Sequence, residues 1–204
     1  GKLSNGIRLP ENARHTGILS RFTRWKEGRQ GSAPKKYFCT VILSGPEPQK
    51  SIFREKMVKI LLHDGRDSAI LEGSPERPLE TYTLDNITFF SHLPSREMAG
   101  LIGESGNIVT RSGYTTIMEL ASLGRSALVV PTPGQTEQEY LADYLSGRGW
   151  FRALPQKNLV PGIDLQVMIS SIPEWIAEES EKMLSAALNE LLEEKHQQSE
   201  DKKS

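Results

Sequence analysis

The chain has 204 residues, a formal net charge of −1 and one cysteine, so its length suffices for one well-buried domain with short appendages. The near-neutral charge, without a basic stripe, argues against a nucleic-acid partner, and one cysteine excludes an internal disulfide. No apolar stretch approaches the ~20 residues of a membrane span and no signal peptide opens the chain, so we expect a cytoplasmic protein.

The first part of the chain differs in composition from the remainder. Residues 1–35 are polar, with glycine and proline scattered among short apolar runs, and Gly1 stands where a natural chain has methionine. This segment is typical of a connection that enters a domain. We therefore expect a linker over 1–35, and we expect the chain to be the C-terminal part of a larger protein.

Strands and helices alternate in the rest of the chain. Buried-type apolar runs predict strands at 37–43, 68–71, 86–90, 107–110, 126–130 and 150–154. Apolar residues at spacings of three and four predict helices at 49–62, 94–102, 115–124 and 137–145. A longer helical pattern covers 163–195 and is interrupted at Pro173. The boundaries we expect are a domain over 36–160, C-terminal helices packing on it over 161–195, and a disordered tail over 196–204.

This alternation predicts the fold class and the place of a site. Strands joined by helices favour an α/β, Rossmann-like parallel sheet with helices on both faces. Ligands of such sheets bind beyond the carboxyl ends of the strands, where loops lead into helix N-termini. Three loops rich in small and polar residues follow strands here, and their sequences are SGPEPQ, RSGYTT and PTPGQTEQ. We expect these loops to converge at one edge of the sheet.

The helix that follows RSGYTT carries the most specific pattern. Its core stripe runs through Ile117 and Leu120, and Glu119 falls on the opposite face together with Thr115, one turn earlier. Unpaired N–H groups at a helix N-terminus bind anions, and a carboxylate one turn further along can accept hydrogen bonds from a vicinal diol. A nucleoside diphosphate offers both groups, provided that Glu119 is not held in an internal ion pair. In the alternative interpretation Thr115 and Thr116 cap the helix and Glu119 complements its dipole.

The stretch 108–145 resembles the C-terminal domain of family 28 glycosyltransferases, which have the GT-B fold. The family pattern R-[SA]-G-x-x-T-[IV]-x-E-[LI], a later glycine and a strand ending in proline are matched at these positions: Arg111, Ser112, Gly113, Thr116, Ile117, Glu119, Leu120, Gly124, Ala127, Leu128, Val130 and Pro131. Gln138 stands where the family has a loop glutamine, and weaker similarity extends the match to about 37–155.

The resemblance implies a donor-binding half of a UDP-sugar transferase, with UDP-N-acetylglucosamine as one candidate donor. The implied roles are ribose binding by Glu119 and phosphate binding by Thr115 and Thr116 at the start of the same helix. The segment from Leu93 to Met98 would form a wall that reads the uracil, and Gln138 and Glu139 would contact the donor sugar. The full set of implied donor-binding residues is Ser44, Gly45, Leu93, Met98, Arg111, Ser112, Gly113, Thr115, Thr116, Glu119, Gln138 and Glu139. For Arg111 a structural role in holding the loop is an equal alternative.

The resemblance places the acceptor, the catalytic base and any peripheral membrane contact on an N-terminal domain that this chain lacks. It implies no cofactor, and we find no metal-ligand pattern. The isolated domain is therefore expected to be inactive alone. His63 is interpreted as a helix-dipole partner, and His92 is a weaker catalytic candidate.

One loop departs from the family pattern. The family has a glycine-rich G-G-S-x-G, whereas this chain has Ser44-Gly45-Pro46-Glu47-Pro48. The two prolines remove N–H donors, and Glu47 adds negative charge near the expected diphosphate. Two other functions stay open: a sugar-nucleotide hydrolase or epimerase on the same fold, and a non-catalytic nucleotide-sugar-binding domain.

Overall fold

The structure is a computed structural model that describes residues 13–14, 16–23, 25, 34–167, 172–173 and 175–201. Within these residues seven strands form one sheet: β1 (Tyr37–Ile42), β2 (Ser68–Leu71), β3 (Thr81–Leu84), β4 (Ile87–Phe90), β5 (Ser105–Thr110), β6 (Leu128–Val129) and β7 (Arg152–Ala153). The same described part contains five α-helices: α1 (Gln49–Asp64), α2 (Ser95–Gly103), α3 (Tyr114–Ser122), α4 (Thr136–Gly147) and α5 (Trp175–Asp201). A short 3-10 helix lies at Gln156–Asn158.

The strand order is β3-β4-β2-β1-β5-β6-β7, and every neighbouring pair is parallel except β3–β4. Buried side chains alternate between the two faces of the strands. Val41 and Ile70 pack with α1 on one face, whereas Ile42 and Leu71 pack with α2, α3 and α4 on the other. Helices thus cover both faces, and the expected Rossmann-like fold class is confirmed.

The predicted elements match the structure closely for the central strands of the sheet, and less well for the edge strand β3 and the C-terminal helix α5. The strand at 68–71 is confirmed to the residue. The sequence pattern missed β3, because all four of its residues are exposed and no buried run marks it. The helix expected from residue 163 is wrong at its start, since 163–167 are not helical, whereas α5 continues to Asp201 and includes part of the segment expected to be a disordered tail. Residues 168–171 and 202–204 lie outside the described part.

The order in which the chain adds strands to the sheet reverses at β1. From β1 it proceeds to β2 and then β4 on one side, and it returns to place β5 on the other side of β1. Ile42 pairs with Thr110 at the carboxyl ends of these two strands, so the loops that follow them begin side by side. Such a switch point is where open parallel sheets leave a crevice for ligands.

Part of the segment expected to be a linker packs against the domain. Phe22 is fully buried in the same cluster as α2 and α3, and Ser122 Oγ of α3 donates a hydrogen bond to Ser20 Oγ at 2.8 Å. Gly17 lies against α5, where a Cβ atom would stand 2.6 Å from Ser180 Cα. Residues 16–23 are therefore anchored to α3 and α5; most of 1–35 lies outside the described residues.

Candidate functional site at the switch point

The N-terminus of α3 is uncapped, and we call it the open terminus. Its N-cap is Gly113, which makes no side-chain capping bond, and its first turn holds no acidic residue. Gly113 O accepts the N–H of Ile117 at 3.1 Å. Within the described residues, the N–H groups of Tyr114, Thr115 and Thr116 have no hydrogen-bond partner, as expected for the first turn of an uncapped helix. Three free donors and the positive end of the helix dipole can bind an anion here.

The capping interpretation of this helix is wrong. Thr115 and Thr116 lie inside the first turn and do not cap it, and Glu119 is the sixth residue of α3, too far along to complement the dipole.

Arg111 connects the three loops that were expected to converge. It is 1% exposed, and its Nη2 donates to Gln49 O at 2.9 Å, where the β1–α1 loop enters α1. Its Nη1 lies 3.3 Å from both Val130 O and Pro131 O, which follow β6. Since Arg111 itself follows β5, these bonds show that all three loops meet at one edge of the sheet.

The guanidinium of Arg111 is unusual in its surroundings. It stacks over the ring of Phe53 at 4.2 Å, and desolvation lowers its pKa to about 10. Nε has no hydrogen-bond partner within the described part of the chain. Burial and carbonyl partners indicate that Arg111 positions the loops, which is the role of the structural alternative.

Glu119 lies below the open terminus but is held in an ion pair. Its side chain is 7% exposed, and Oε1 accepts from Arg21 Nε at 2.7 Å. The expectation that it is free of an internal ion pair is therefore wrong. Its second oxygen, Oε2, makes no hydrogen bond to any residue that the structure describes. Desolvation raises the pKa of this carboxyl, and the charge and hydrogen bond of Arg21 oppose that rise.

Arg21 is the functional candidate that sequence reasoning missed. Its side chain is about half exposed, and its Nη2 contacts Met98 Sδ at 3.2 Å. Arg21 thus lies between Met98 and Glu119, the residues expected at the base and the ribose. It sits in a polar segment without periodicity, and nothing in its local sequence indicates that it folds back onto α3.

The expected uracil wall borders this group. Met98 is 6% exposed at the start of α2, and Leu93 packs against the same core cluster. His92 precedes the wall and its Nδ1 lies 3.3 Å from Ser91 Oγ. His63 lies in the last turn of α1, as a helix-dipole partner would.

Gln138 and Glu139, which were expected to contact the donor sugar, lie in α4 and bind backbone N–H groups of the preceding β6–α4 loop. Gln138 Oε1 accepts from Thr132 N at 3.0 Å, and Glu139 Oε1 accepts from Gly134 N at 3.2 Å. Ser112 is fully buried, and its Oγ donates to Gln138 O at 2.8 Å. This bond joins the α3 loop to α4 and holds both beside the open terminus.

The β1–α1 connection differs from the α3 terminus. Ser44 is half-buried, and a Cβ atom at Gly45, which has φ +94°, would meet nothing within 4 Å. Gly45 thus faces open space at the edge of the sheet. The N–H groups of the first turn of α1 are mostly paired within the connection itself, in contrast to those of α3.

No cluster of three or more metal-ligating side chains occurs in the described ranges. None of the helices described in them is long and apolar enough to cross a membrane. What the geometry provides is an uncapped helix N-terminus that can bind an anion, with an ion pair between half-exposed Arg21 and buried Glu119 one turn below it.

An α/β domain with this site at its switch point belongs to the class of Rossmann-like ligand-binding domains. A comparison with known families specifies it further: residues 31–204 match the model of the glycosyltransferase family 28 C-terminal domain. The chain belongs to this family.

Two curated relatives with similar sequences are transferases of the same name. The chain is 35% identical over 94 residues to the UDP-N-acetylglucosamine–N-acetylmuramyl-(pentapeptide) pyrophosphoryl-undecaprenol N-acetylglucosamine transferase of Methylobacterium sp. (strain 4-46), a match that covers 44% of this chain and 24% of the relative. The transferase of the same name from Nitrosospira multiformis is 36% identical over 77 residues, which cover 37% of this chain and 20% of the relative. The chain thus matches about a quarter or less of the length of these relatives.

Solved structures show weaker similarity. The crystal structure of the glycosyltransferase SnogD from Streptomyces nogalater aligns with 92% of this chain and 46% of its own, at a TM-score of 0.45 and 14% identity.

Proposed function

We propose that this chain is the donor-binding domain of a glycosyltransferase that uses a UDP-sugar, with UDP-N-acetylglucosamine as the first candidate. The observation that carries the proposal is the uncapped N-terminus of α3 at the switch point of a family 28 domain. The names of the relatives support the choice of donor.

In the proposed binding mode the diphosphate lies at the N-terminus of α3. The free N–H groups of Tyr114, Thr115 and Thr116 donate to its oxygens, and the helix dipole favours its charge. The ribose lies one turn below, where Glu119 Oε2 accepts from a ribose hydroxyl while Oε1 remains bonded to Arg21. The half-exposed Arg21 then borders the nucleoside together with Met98.

The proposed reaction is displacement at the anomeric carbon of the donor sugar. An acceptor hydroxyl loses its proton to a base and forms a bond to that carbon, while the bond from the carbon to the β-phosphate oxygen breaks and UDP leaves. The open terminus of α3 stabilises the negative charge that develops on the leaving diphosphate. We place the acceptor site and the base on a partner domain of the whole protein, and the cytoplasm is the compartment that this proposal implies.

The test is a calorimetric titration of UDP, UDP-N-acetylglucosamine and GDP into the 204-residue chain and into its Glu119→Ala and Glu119→Gln variants. We expect Glu119→Ala to weaken UDP binding by about 1–3 kcal/mol, because a charged hydrogen-bond acceptor is lost from the ribose. Glu190→Ala is the matched control, since Glu190 also pairs with an arginine of the N-terminal segment, Arg14, but lies on α5 away from the site.

Thermal melts separate the two roles of Glu119. If both Glu119 variants lower the melting temperature but bind UDP as the wild type does, its pair with Arg21 only anchors the N-terminal segment. If the wild-type chain binds none of the three nucleotides, the proposed function is wrong.

A further inference from the structure

At the N-terminus of α1, the preceding β1–α1 loop accepts the hydrogen bonds of most first-turn N–H groups. Lys50 N donates to Pro46 O at 3.1 Å, Ile52 N donates to Pro48 O at 3.0 Å, and Ser51 N donates to Glu47 Oε2 at 3.1 Å. The carboxylate of Glu47 therefore occupies the position at this helix terminus that an anion would take. The N–H groups that an open terminus presents are largely used here, whereas those of α3 are free.

The charge of Glu47 is not neutralised by a salt bridge within the described residues. Lys50, three residues on, points its Nζ at Gly73 O and Ser74 Oγ, at 3.2 and 3.1 Å. The hydrogen bonds from Ser51, and to a smaller extent the charge of Lys50, lower the pKa of the Glu47 carboxyl, so it is ionised at neutral pH.

The loop that carries this charge lies next to the loop that leads into α3, where we place the diphosphate. β1 and β5 are adjacent, with Ile42 opposite Thr110, so the β1–α1 and β5–α3 loops run side by side. Arg111 draws them together, because its Nη2 bonds to Gln49 O at 2.9 Å, two residues beyond Glu47. A Cβ atom at Gly45 would meet nothing within 4 Å, so the β1–α1 loop is open to a ligand at this residue.

We propose that Glu47 is a specificity-determining residue that disfavours free UDP relative to the sugar-bearing donor. This inference rests on the proposed function. In a UDP-sugar the β-phosphate is esterified and carries one negative charge, whereas the terminal phosphate of UDP carries close to two at neutral pH. A fixed carboxylate beside that phosphate repels the product more strongly than the donor. Glu47 thereby promotes release of UDP and reduces product inhibition.

The test compares the affinities of the 204-residue chain and its Glu47→Gln variant for UDP and for UDP-N-acetylglucosamine at low salt. Glutamine keeps an oxygen that accepts from Ser51 N and removes only the charge. We expect UDP to bind about three- to tenfold more tightly to Glu47→Gln, with a clearly smaller gain for the UDP-sugar. The difference between wild type and variant should shrink at high salt, as screening weakens the repulsion. Glu55→Gln is the matched control, because Glu55 is an exposed glutamate two turns further along α1, paired with Lys59.

The outcomes distinguish the two proposals. If the wild type binds both ligands and Glu47→Gln changes the two affinities by the same factor, or changes neither, the role of Glu47 is wrong and the proposed function stands. If the wild type binds neither ligand, both proposals are wrong. A selective gain for UDP that also appears in Glu55→Gln contradicts the role of Glu47, because it then reflects net charge alone.

Discussion

Arg111 is among the largest fully buried side chains in the described part of the chain, although it carries a charged guanidinium. A charge in such a place is costly unless it is bonded, and here three backbone carbonyls from two other loops accept from it. The family motif identifies this residue but not its partners, because the carbonyls of Gln49, Val130 and Pro131 are distant in sequence. The structure supplies these partners, and they give Arg111 the positioning role.

Arg111→Ala should destabilise the chain by about 3 kcal/mol or more, because it leaves three carbonyls without a donor and a cavity over Phe53. Urea unfolding followed by circular dichroism measures the change. Arg148→Ala is the control: Arg148 is an exposed arginine that stacks on Tyr144 and Trp150, and its loss should cost under about 1 kcal/mol. Equal effects of the two variants would contradict a special role for Arg111.

At the level of elements, α1 and α3 follow adjacent parallel strands and end differently at their N-termini. The α1 connection supplies its own carboxylate, whereas α3 starts from a glycine and supplies none. This difference is visible in the sequence as Pro46-Glu47-Pro48 against Ser112-Gly113. Its meaning depends on the structure, because the adjacency of β1 and β5 brings the two termini to the same edge of the sheet.

Gly113→Asp should have opposite effects on stability and binding. Gly113 has φ −80° and ψ 144°, which aspartate adopts without strain, so its carboxylate can cap α3 and stabilise the chain by about 0.3–1 kcal/mol. The same carboxylate occupies the proposed phosphate position, and we expect UDP affinity to fall at least about tenfold.

Gly113→Ala is the control for the capping variant, because a Cβ atom at residue 113 meets nothing within 4 Å. We expect it to retain UDP binding. Thermal melts and UDP titrations of both variants provide the measurements. If Gly113→Asp binds UDP as tightly as the wild type, the phosphate does not lie at this terminus.

At the scale of the whole molecule, residues 16–23 of the N-terminal segment pack on the domain. Phe22 belongs to the core cluster of α2 and α3, and Arg21, next to it, reaches Glu119. Arg21 therefore contacts two residues of the candidate site, Glu119 and Met98, although the composition of 1–35 indicates a linker. Its short apolar runs are too sparse for a periodic pattern, so their burial depends on contacts that are remote in sequence.

Phe22→Ala should cost about 3–5 kcal/mol of unfolding free energy, because it empties a fully buried position. It should also weaken UDP binding, since Arg21 is no longer held at Glu119. Leu19→Ala is the matched control, because Leu19 lies in the same segment and is 52% exposed. Unfolding by urea and UDP titration measure both effects. Unchanged stability in Phe22→Ala would show that the segment is not docked on the domain.

The sequence by itself determined the fold class, the positions of most strands and helices, the convergence of three loops and the family. These depend on hydrophobic periodicity, on turn residues and on a dense local motif, all of which are written within short stretches of chain. Only the tertiary structure decided which helix N-terminus is open, that Arg111 joins the loops, and that Arg21 holds Glu119. Those features are hydrogen bonds and ion pairs between residues far apart in sequence, and no local pattern specifies such partners.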